Sequence, residues 1–303
     1  MRAIVSSTEL FTPEEYNTIA RNRSQAPISP PAPHRDSFDQ LVRILADGKQ
    51  QTPSSYRVPD LSAAVCQNVG GSIFAQLTEK EQKFLVDLSN PDVEESDEQI
   101  LSLLLTVFPI FDRAIFFSSL GDYVQCIDTF RGMTKYGNGH EVFNHALWNR
   151  RTRSIFVNLD TDRLDKSRGS NKQAFLTFFL HEMLHAFLDI YRCRCSFCST
   201  EVEIEKHLGK TGHGPCWCNA MSAIAQMVKR DLGWNTNFAM AESVQAEVVK
   251  GVVPSDAQLA RWRLSRGANL IQELRDLGTT EDIVRNNLKV RLDHNSSEEV
   301  FIG

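Results

Sequence analysis

Apolar residues recur every three or four positions over much of this chain, the spacing that places them on one face of a helix. The longest such segment, at about 171–191, is apolar on several faces and predicts a buried helix. Gly214 and Pro215 suit the start of another helix, because proline is favoured at the first helical position. Further helices are predicted at 37–50, 79–88, 96–108, 215–232, 242–251, 255–278 and 279–292.

The pattern changes between 111 and 160, where short β-branched and aromatic runs are separated by turn residues. The runs AIFFSSL at 114–120, YVQCIDTF at 123–130 and SIFVNLD at 154–160 predict strands of a small sheet. The predicted fold class is therefore α+β, mainly helical with one small β-sheet. Before the first helix, the proline-rich stretch RNRSQAPISPPAPHR at 21–35 predicts a flexible arm.

Composition narrows the classes of partner. The formal net charge of −5 gives no global reason to expect nucleic acid as the main partner. No apolar run reaches the roughly 18 residues needed to cross a bilayer, and LLLTVFPIF at 103–111 is interpreted as a core element. We therefore expect no membrane association. The C-terminal arginines alternate with acidic residues, which is typical of a solvated helical surface.

The N-terminal residues and the cysteines together indicate the compartment. MRAIVSSTELFTPEEYN lacks the continuous apolar segment of a secretory signal, so we expect an intracellular protein. Cysteines in a reducing compartment are better interpreted as thiols or metal ligands than as disulfides. Because five of the seven cysteines lie between 193 and 218, that segment is a candidate for metal chemistry.

The buried helix carries a candidate metal site in the sequence HEMLH. His181 and His185 lie one helical turn apart on one face, so both imidazoles can bind one ion. Glu182 then lies beside the metal, where its carboxylate can accept a proton from a bound water. This is the H-E-x-x-H arrangement of zinc peptidases. The alternative is a core helix with hydrogen-bonded polar residues, which we disfavour because unpaired polar groups are costly to bury.

A catalytic zinc usually has three protein ligands and leaves its fourth position open. The sequence offers three candidates for the third ligand: His207, His213 and Glu242. His213 lies between two glycines at the start of a predicted helix, where the backbone can approach the site closely. We favour His213 and expect His207, in the charged stretch EIEKHLGK, to be a solvated surface residue.

HEMLHAF followed by GHGPCW resembles the SprT-like (Spartan-type) zinc metallopeptidases, in which H-E-x-x-H-A precedes G-H-G-x-x-[FW]. The resemblance covers about 111–235. It implies zinc ligands His181, His185 and His213, Glu182 as the general base, and a zincin-like core whose sheet packs on the motif helix. It also makes DNA-associated proteins candidate substrates and the nucleus a candidate location.

The resemblance also suggests how the chain divides. The predicted parts are an arm at 1–35, a helical region at 36–110, the SprT-like core at 111–240 and a helical region at 241–303. Two features depart from the family. The segment between His185 and His213 is longer than usual, and no cysteine follows Cys218 to build the later zinc module of DNA-linked members.

The cysteines within that long segment raise the question of a second metal. Cys195 and Cys198 have the C-x-x-C spacing of a structural zinc site, which Cys193, Cys216 or Cys218 could complete. The alternative is a set of small, partly buried thiols. We favour a single zinc, because the overlap of C-x-C with C-x-x-C is irregular for a structural site.

These observations predict a zinc-dependent metalloendopeptidase that hydrolyses protein substrates, with Glu182 as general base. The alternative is a non-catalytic, zinc-stabilised module that binds protein or DNA. The presence of Glu182 disfavours that alternative, since a purely structural site needs no base beside the metal. A role with DNA follows only from the family resemblance, because the sequence shows no basic and aromatic patch of its own.

Overall fold

The computed structural model describes residues 53–88, 96–131, 134–135, 141–142, 146–159, 171–234 and 238–264. The predicted arm at 1–35, the predicted helices at 37–50 and 279–292, and the part of the predicted 255–278 helix beyond 264 lie outside these residues. The described part of the 255–278 segment is helical only over Asp256–Arg261, and the chain then turns at Arg263, which has a positive φ. Within them the protein is α+β and mostly helical, with a small mixed sheet, as the sequence predicts.

Eight α-helices lie in the described residues. They are α1 (Val58–Asn68), α2 (Glu79–Asp87), α3 (Asp97–Phe116), α4 (Asn171–Tyr191), α5 (Glu201–Leu208), α6 (Pro215–Met227), α7 (Met240–Val249) and α8 (Asp256–Arg261). A 3₁₀ turn spans Ile73–Gln76, and α6 continues as a π-helical turn over Val228–Leu232. The predicted 171–191 helix is confirmed as α4, a long apolar segment without glycine or proline.

Within the described part of the chain, five strands form two sheets. They are β1 (Cys126–Phe130), β2 (Thr134–Lys135), β3 (Glu141–Val142), β4 (Ala146–Asn149) and β5 (Ser154–Asn158). The main sheet has the order β1-β5-β4, with β1 parallel and β4 antiparallel to β5. Strands β2 and β3 pair as a separate antiparallel ribbon. Both β4 and β5 pack against α4, which places the edge strand beside the HEMLH sequence.

The core surrounds α4. Leu176, Phe179 and Leu180 are fully buried, and the ring centroid of Phe187 lies 5.6 Å from that of Phe116 in α3. By length and composition alone α3 could cross a membrane, yet half of its apolar window is buried inside the protein. It contributes the 103–111 run to the core.

The predicted strand at 114–120 is wrong. Residues 114–116 form the last turn of α3, and the chain then turns through Phe117 and Ser118, both at positive φ. The aromatic run resembles a strand locally, but Ile115 and Phe116 continue the buried stripe of the helix and pack on the core. Packing thus overrides the local strand preference of these residues.

Candidate metal centre

Helix α4 places three polar side chains in an apolar environment. His181 and Glu182 are buried, with 8% and 7% of their surfaces exposed, and His185 is half-buried. The ring centroids of the two histidines lie 5.0 Å apart. Burial of three such groups on one helix requires partners for them, because an unpaired buried polar group is costly.

The partner of the two histidines is His213, in the loop between α5 and α6. Its Nε2 lies 3.1 Å from Nε2 of His181 and 3.0 Å from Nε2 of His185, and the latter two are 3.2 Å apart. The three imidazoles therefore point one nitrogen each at a common centre, and together they could hold a metal ion.

The other two candidates for the third ligand lie elsewhere. Glu242 is exposed in the first turn of α7. His207 lies in the last turn of α5, only 20% exposed at its side chain, and faces a cavity on the other side of the loop. The expectation of a solvated surface histidine at 207 is therefore wrong, because α5 packs this residue toward the start of α1.

Burial keeps the histidines in the form that binds metals. It lowers the pKa of His213 to about 4 and the pKa of His185 well below its ordinary value. The neighbouring rings of His213 and His181 lower the pKa of His185 further. A neutral imidazole offers a lone pair to an ion, whereas an imidazolium has none. The centre is thus electrostatically prepared for a cation at neutral pH.

Hydrogen bonds at the far nitrogens select the tautomers. His181 Nδ1 lies 3.1 Å from the carbonyl oxygen of Phe238, which can only accept, so Nδ1 carries the proton. His213 Nδ1 lies 2.9 Å from Thr211 Oγ1, whose own proton goes to Glu247 at 2.6 Å. His213 Nδ1 is therefore also the donor. In both histidines Nε2 keeps its lone pair for the common centre.

Glu247 organises the loop that carries His213. Its carboxylate is 3% exposed and accepts from the backbone N–H groups of Lys210, Thr211 and His213 at 2.7, 2.8 and 3.0 Å. Gly209 is required at the start of this loop, because its φ is +72° and a Cβ there would lie 2.4 Å from the Glu247 carboxyl carbon. The carboxylate thus fixes the position of the third histidine.

Sequence reasoning missed both Thr211 and Glu247. Glu242, in the same helix as Glu247, is the carboxylate that the sequence offers as a candidate ligand. A signal for Glu247 does exist: it lies between Val244 and Val248 on the face of α7 that is buried, where a lone carboxylate needs several donors.

Trp217 forms one wall of the centre. Its fully buried ring stacks on His185, with centroids 5.4 Å apart and planes 20° apart, and contacts His181 and His213 at centroid distances of 4.6 and 4.7 Å. The aromatic position of GHGPCW therefore packs directly on all three imidazoles. It limits their rotation and keeps water away from that side.

Glu182 is held by the sheet. One carboxylate oxygen, Oε2, accepts from the backbone N–H of Trp148 in β4, and the other, Oε1, lies 3.9 Å from His181 Nε2. Burial raises the pKa of Glu182 to about 8, and the Trp148 hydrogen bond opposes the rise. The carboxylate therefore lies beside the histidine centre with one oxygen facing it.

A second cluster lies just beyond the end of α4. The sulfur atoms of Cys193, Cys195 and Cys198 all lie within 4.8 Å of one another and could hold a metal ion.

The other two cysteines of this segment lie outside that cluster. Cys218 donates its S–H to the carbonyl oxygen of His213 at 3.1 Å, and the sulfur of Cys216 lies 3.8 Å from His207 Nδ1. None of the seven cysteines, all within the described residues, forms a disulfide.

Comparison of the chain with protein-family models, with curated proteins and with solved structures found no match. The resemblance to SprT-like enzymes therefore stays a prediction. A functional assignment has to rest on the residues of the two clusters and on their chemistry.

Proposed function

We propose that this chain is a zinc-dependent endopeptidase of the zincin-like, SprT-like type, with His181, His185 and His213 as zinc ligands. The observation that carries the proposal is the position of Glu182. Its carboxylate is buried beside the three converging imidazoles but is not part of the ligand set that they form. A purely structural metal site has no use for a base in that position.

The histidine set fits zinc. Nitrogen ligands at 2.0–2.1 Å from a tetrahedral ion lie about 3.3 Å from one another, and the three Nε2 atoms lie 3.0–3.2 Å apart. Three neutral imidazoles with a remaining open position are a ligand set of catalytic zinc. When bound, zinc would lower the pKa of a coordinated water and polarise the carbonyl oxygen of the peptide bond to be cleaved.

Glu182 supplies the proton transfers. Its Oε2 is anchored to the Trp148 backbone, which leaves Oε1 on the side of the histidines to take a proton from the attacking water. The same carboxyl group then returns the proton to the leaving amine. A base works best with a pKa near the operating pH, and burial moves Glu182 in that direction.

Strand β4 provides a place for an extended substrate. It pairs with β5 on one side, and no other described strand pairs with its opposite side. Extended peptides bind exposed strand edges through main-chain hydrogen bonds. We therefore propose unfolded or loosely folded stretches of protein as the substrate class. The SprT-like resemblance adds proteins associated with DNA, and hence a nuclear location, to this proposal.

A digestion assay with controlled metal content tests the proposal. Casein and a basic DNA-binding protein are incubated with the full chain, with and without single-stranded DNA. Cleavage should disappear with a zinc chelator, return when zinc is added back, and be absent in His185→Ala. Faster cleavage with DNA would support the DNA-associated substrates, and no response to DNA would remove them. A zinc-loaded chain that cleaves neither protein under any condition would contradict the peptidase and leave a binding module.

A further inference from the structure

A group of three thiols gathers where the chain leaves α4. Cys193 is 3% exposed, and its sulfur lies within 4.8 Å of those of Cys195 and Cys198. Two backbone N–H groups point at sulfur atoms: that of Cys195 at Cys193 and that of Cys198 at Cys195, both at 3.4 Å. Such N–H···S bonds stabilise thiolates, which are the metal-binding form.

We propose that Cys193, Cys195 and Cys198 bind a structural zinc ion, with His207 as the fourth ligand. Thiolates are soft ligands that select zinc among the divalent ions, and three thiolates with one imidazole form a closed tetrahedral set. A disulfide would join only two of the sulfurs and would require them to lie about 2 Å apart. An ion uses all three.

His207 is the fourth ligand because it faces the thiols across a cavity. The lining of this cavity includes Cys193, Cys198 and His207, together with Arg57 at the start of α1. The ring lies outside the 4.8 Å group of sulfurs, so ligation requires the ring to turn into the cavity. Its Nε2 lies 3.4 Å from the Glu203 carboxylate, and a carboxylate is the usual partner of a metal-bound histidine.

An ion at this site would stabilise helix α5. This helix has only eight residues and buries none of them, whereas isolated helices of that length are not stable in water. The Thr200 side chain caps its start, and Leu208 at its end packs, partly buried, against the core. An ion between the cysteines and His207 would fasten the last turn of α5 to the end of α4.

The second site would also position the first. The loop with His213 leaves α5 at Leu208, and the N–H of Gly214 returns to the carbonyl oxygen of Leu208 at 2.6 Å. The loop is held at Glu247 on one side, so fixing His207 holds its other end. This positioning role rests on the proposed function, whereas the presence of the thiolate site does not.

Cobalt substitution tests the site without any activity assay. Cobalt bound by thiolates gives an intense charge-transfer band in the near ultraviolet, which cobalt bound by three histidines lacks. The zinc-loaded parent should contain about two zinc ions per chain, one at the three histidines and one at the cysteine site. The cobalt protein should show the thiolate band. Cys195→Ser with Cys198→Ser should lose one ion and the band, whereas Cys126→Ser, a thiol in β1, should lose neither.

His213→Ala separates the two sites, because it should lose one ion and keep the thiolate band. His207→Ala keeps the three thiolates, so the band should remain but should need more cobalt to reach its maximum than in the parent. A parent with about one zinc and no thiolate band would overturn the proposal even if every variant failed to fold. A His207→Ala band that saturates at the same cobalt concentration as that of the parent would overturn the assignment of His207. Loss of peptidase activity alone, with the band intact in the parent, would contradict the proposed function and not this site.

Discussion

Thr211 lies between the third histidine and the carboxylate that holds its loop. Its hydroxyl donates to Glu247 at 2.6 Å and so accepts from His213 Nδ1 at 2.9 Å. We predict that Thr211→Val, which keeps the shape and removes the hydroxyl, weakens zinc binding at the histidines about 10–100-fold, the usual effect of losing such a partner. Competition with a chelator of known affinity measures it.

The matched control for Thr211 is Thr211→Ser, which keeps the hydroxyl and should bind zinc like the parent. Equal zinc affinity of the valine and serine variants would show that the hydroxyl does not select the tautomer of His213.

At this scale the sequence predicts what is local. His181, Glu182 and His185 are identified by spacing alone, since four residues along a helix fix their common face. His213 is favoured because glycines surround it. Thr211 and Glu247 are not predictable in this way, because the contact between them joins α7 to a loop more than thirty residues earlier.

Helix α7 acts on the metal centre through Glu247. We predict that Glu247→Ala leaves three loop N–H groups without their acceptor and destabilises the protein by about 2–4 kcal/mol. Hydrogen exchange should show loss of protection at residues 210, 211 and 213. Glu242→Ala, an exposed change in the same helix, is the control and should leave the protection of residues 210, 211 and 213 unchanged. Unchanged protection in Glu247→Ala would contradict the role of this carboxylate.

The end of α3 carries a pH dependence. Asp112 accepts from the N–H groups of Leu120 and Gly121 at 2.9 Å, yet burial raises its pKa from 3.8 to about 6. As pH rises from 4 to 6 the unfolded chain ionises at this residue before the folded chain does. The folded state therefore loses stability over this range, by about 3 kcal/mol for a shift of two pKa units.

Asp112→Asn removes this titration. Denaturant unfolding of parent and variant between pH 4 and 6.5 should give stabilities whose difference changes with pH, the parent falling relative to the variant as pH rises. Asparagine has one side-chain oxygen, so the variant also loses the hydrogen bond from either Leu120 or Gly121. This loss lowers the stability of the variant by the same amount at every pH. Parallel curves would contradict the raised pKa.

Sequence reasoning missed helix α1, helix α5 and strand β4, and it predicted a strand at 114–120 where the chain ends a helix. Helix α5 buries no residue, so its charged sequence carries no apolar stripe to recognise. Strand β4 has four residues and is defined by its pairing with β5. The run at 114–120 has strand-like composition but is placed by the packing of α3. By contrast α4, with its long apolar sequence, is predicted at about its observed bounds.

At the scale of the whole molecule, one core joins regions that the sequence separates. Residues from Tyr56 to Leu264 contribute to a single apolar cluster. Helix α1 packs against α6, and the Ser62 hydroxyl donates to the carbonyl oxygen of Cys216 at 2.6 Å. The helices before residue 111 therefore support the histidine centre directly. Composition alone does not reveal this, because contacts far apart in sequence create it.

The proposed peptidase mechanism depends on Glu182 being a base and not a ligand. The decisive measurement is the rate of casein cleavage by Glu182→Gln relative to the parent, with the zinc content of both determined on the same samples. The glutamine can still accept from the Trp148 N–H but cannot take a proton. We predict equal zinc content and a rate lower by about 10²–10⁴. Equal zinc content with an unchanged rate would contradict the account.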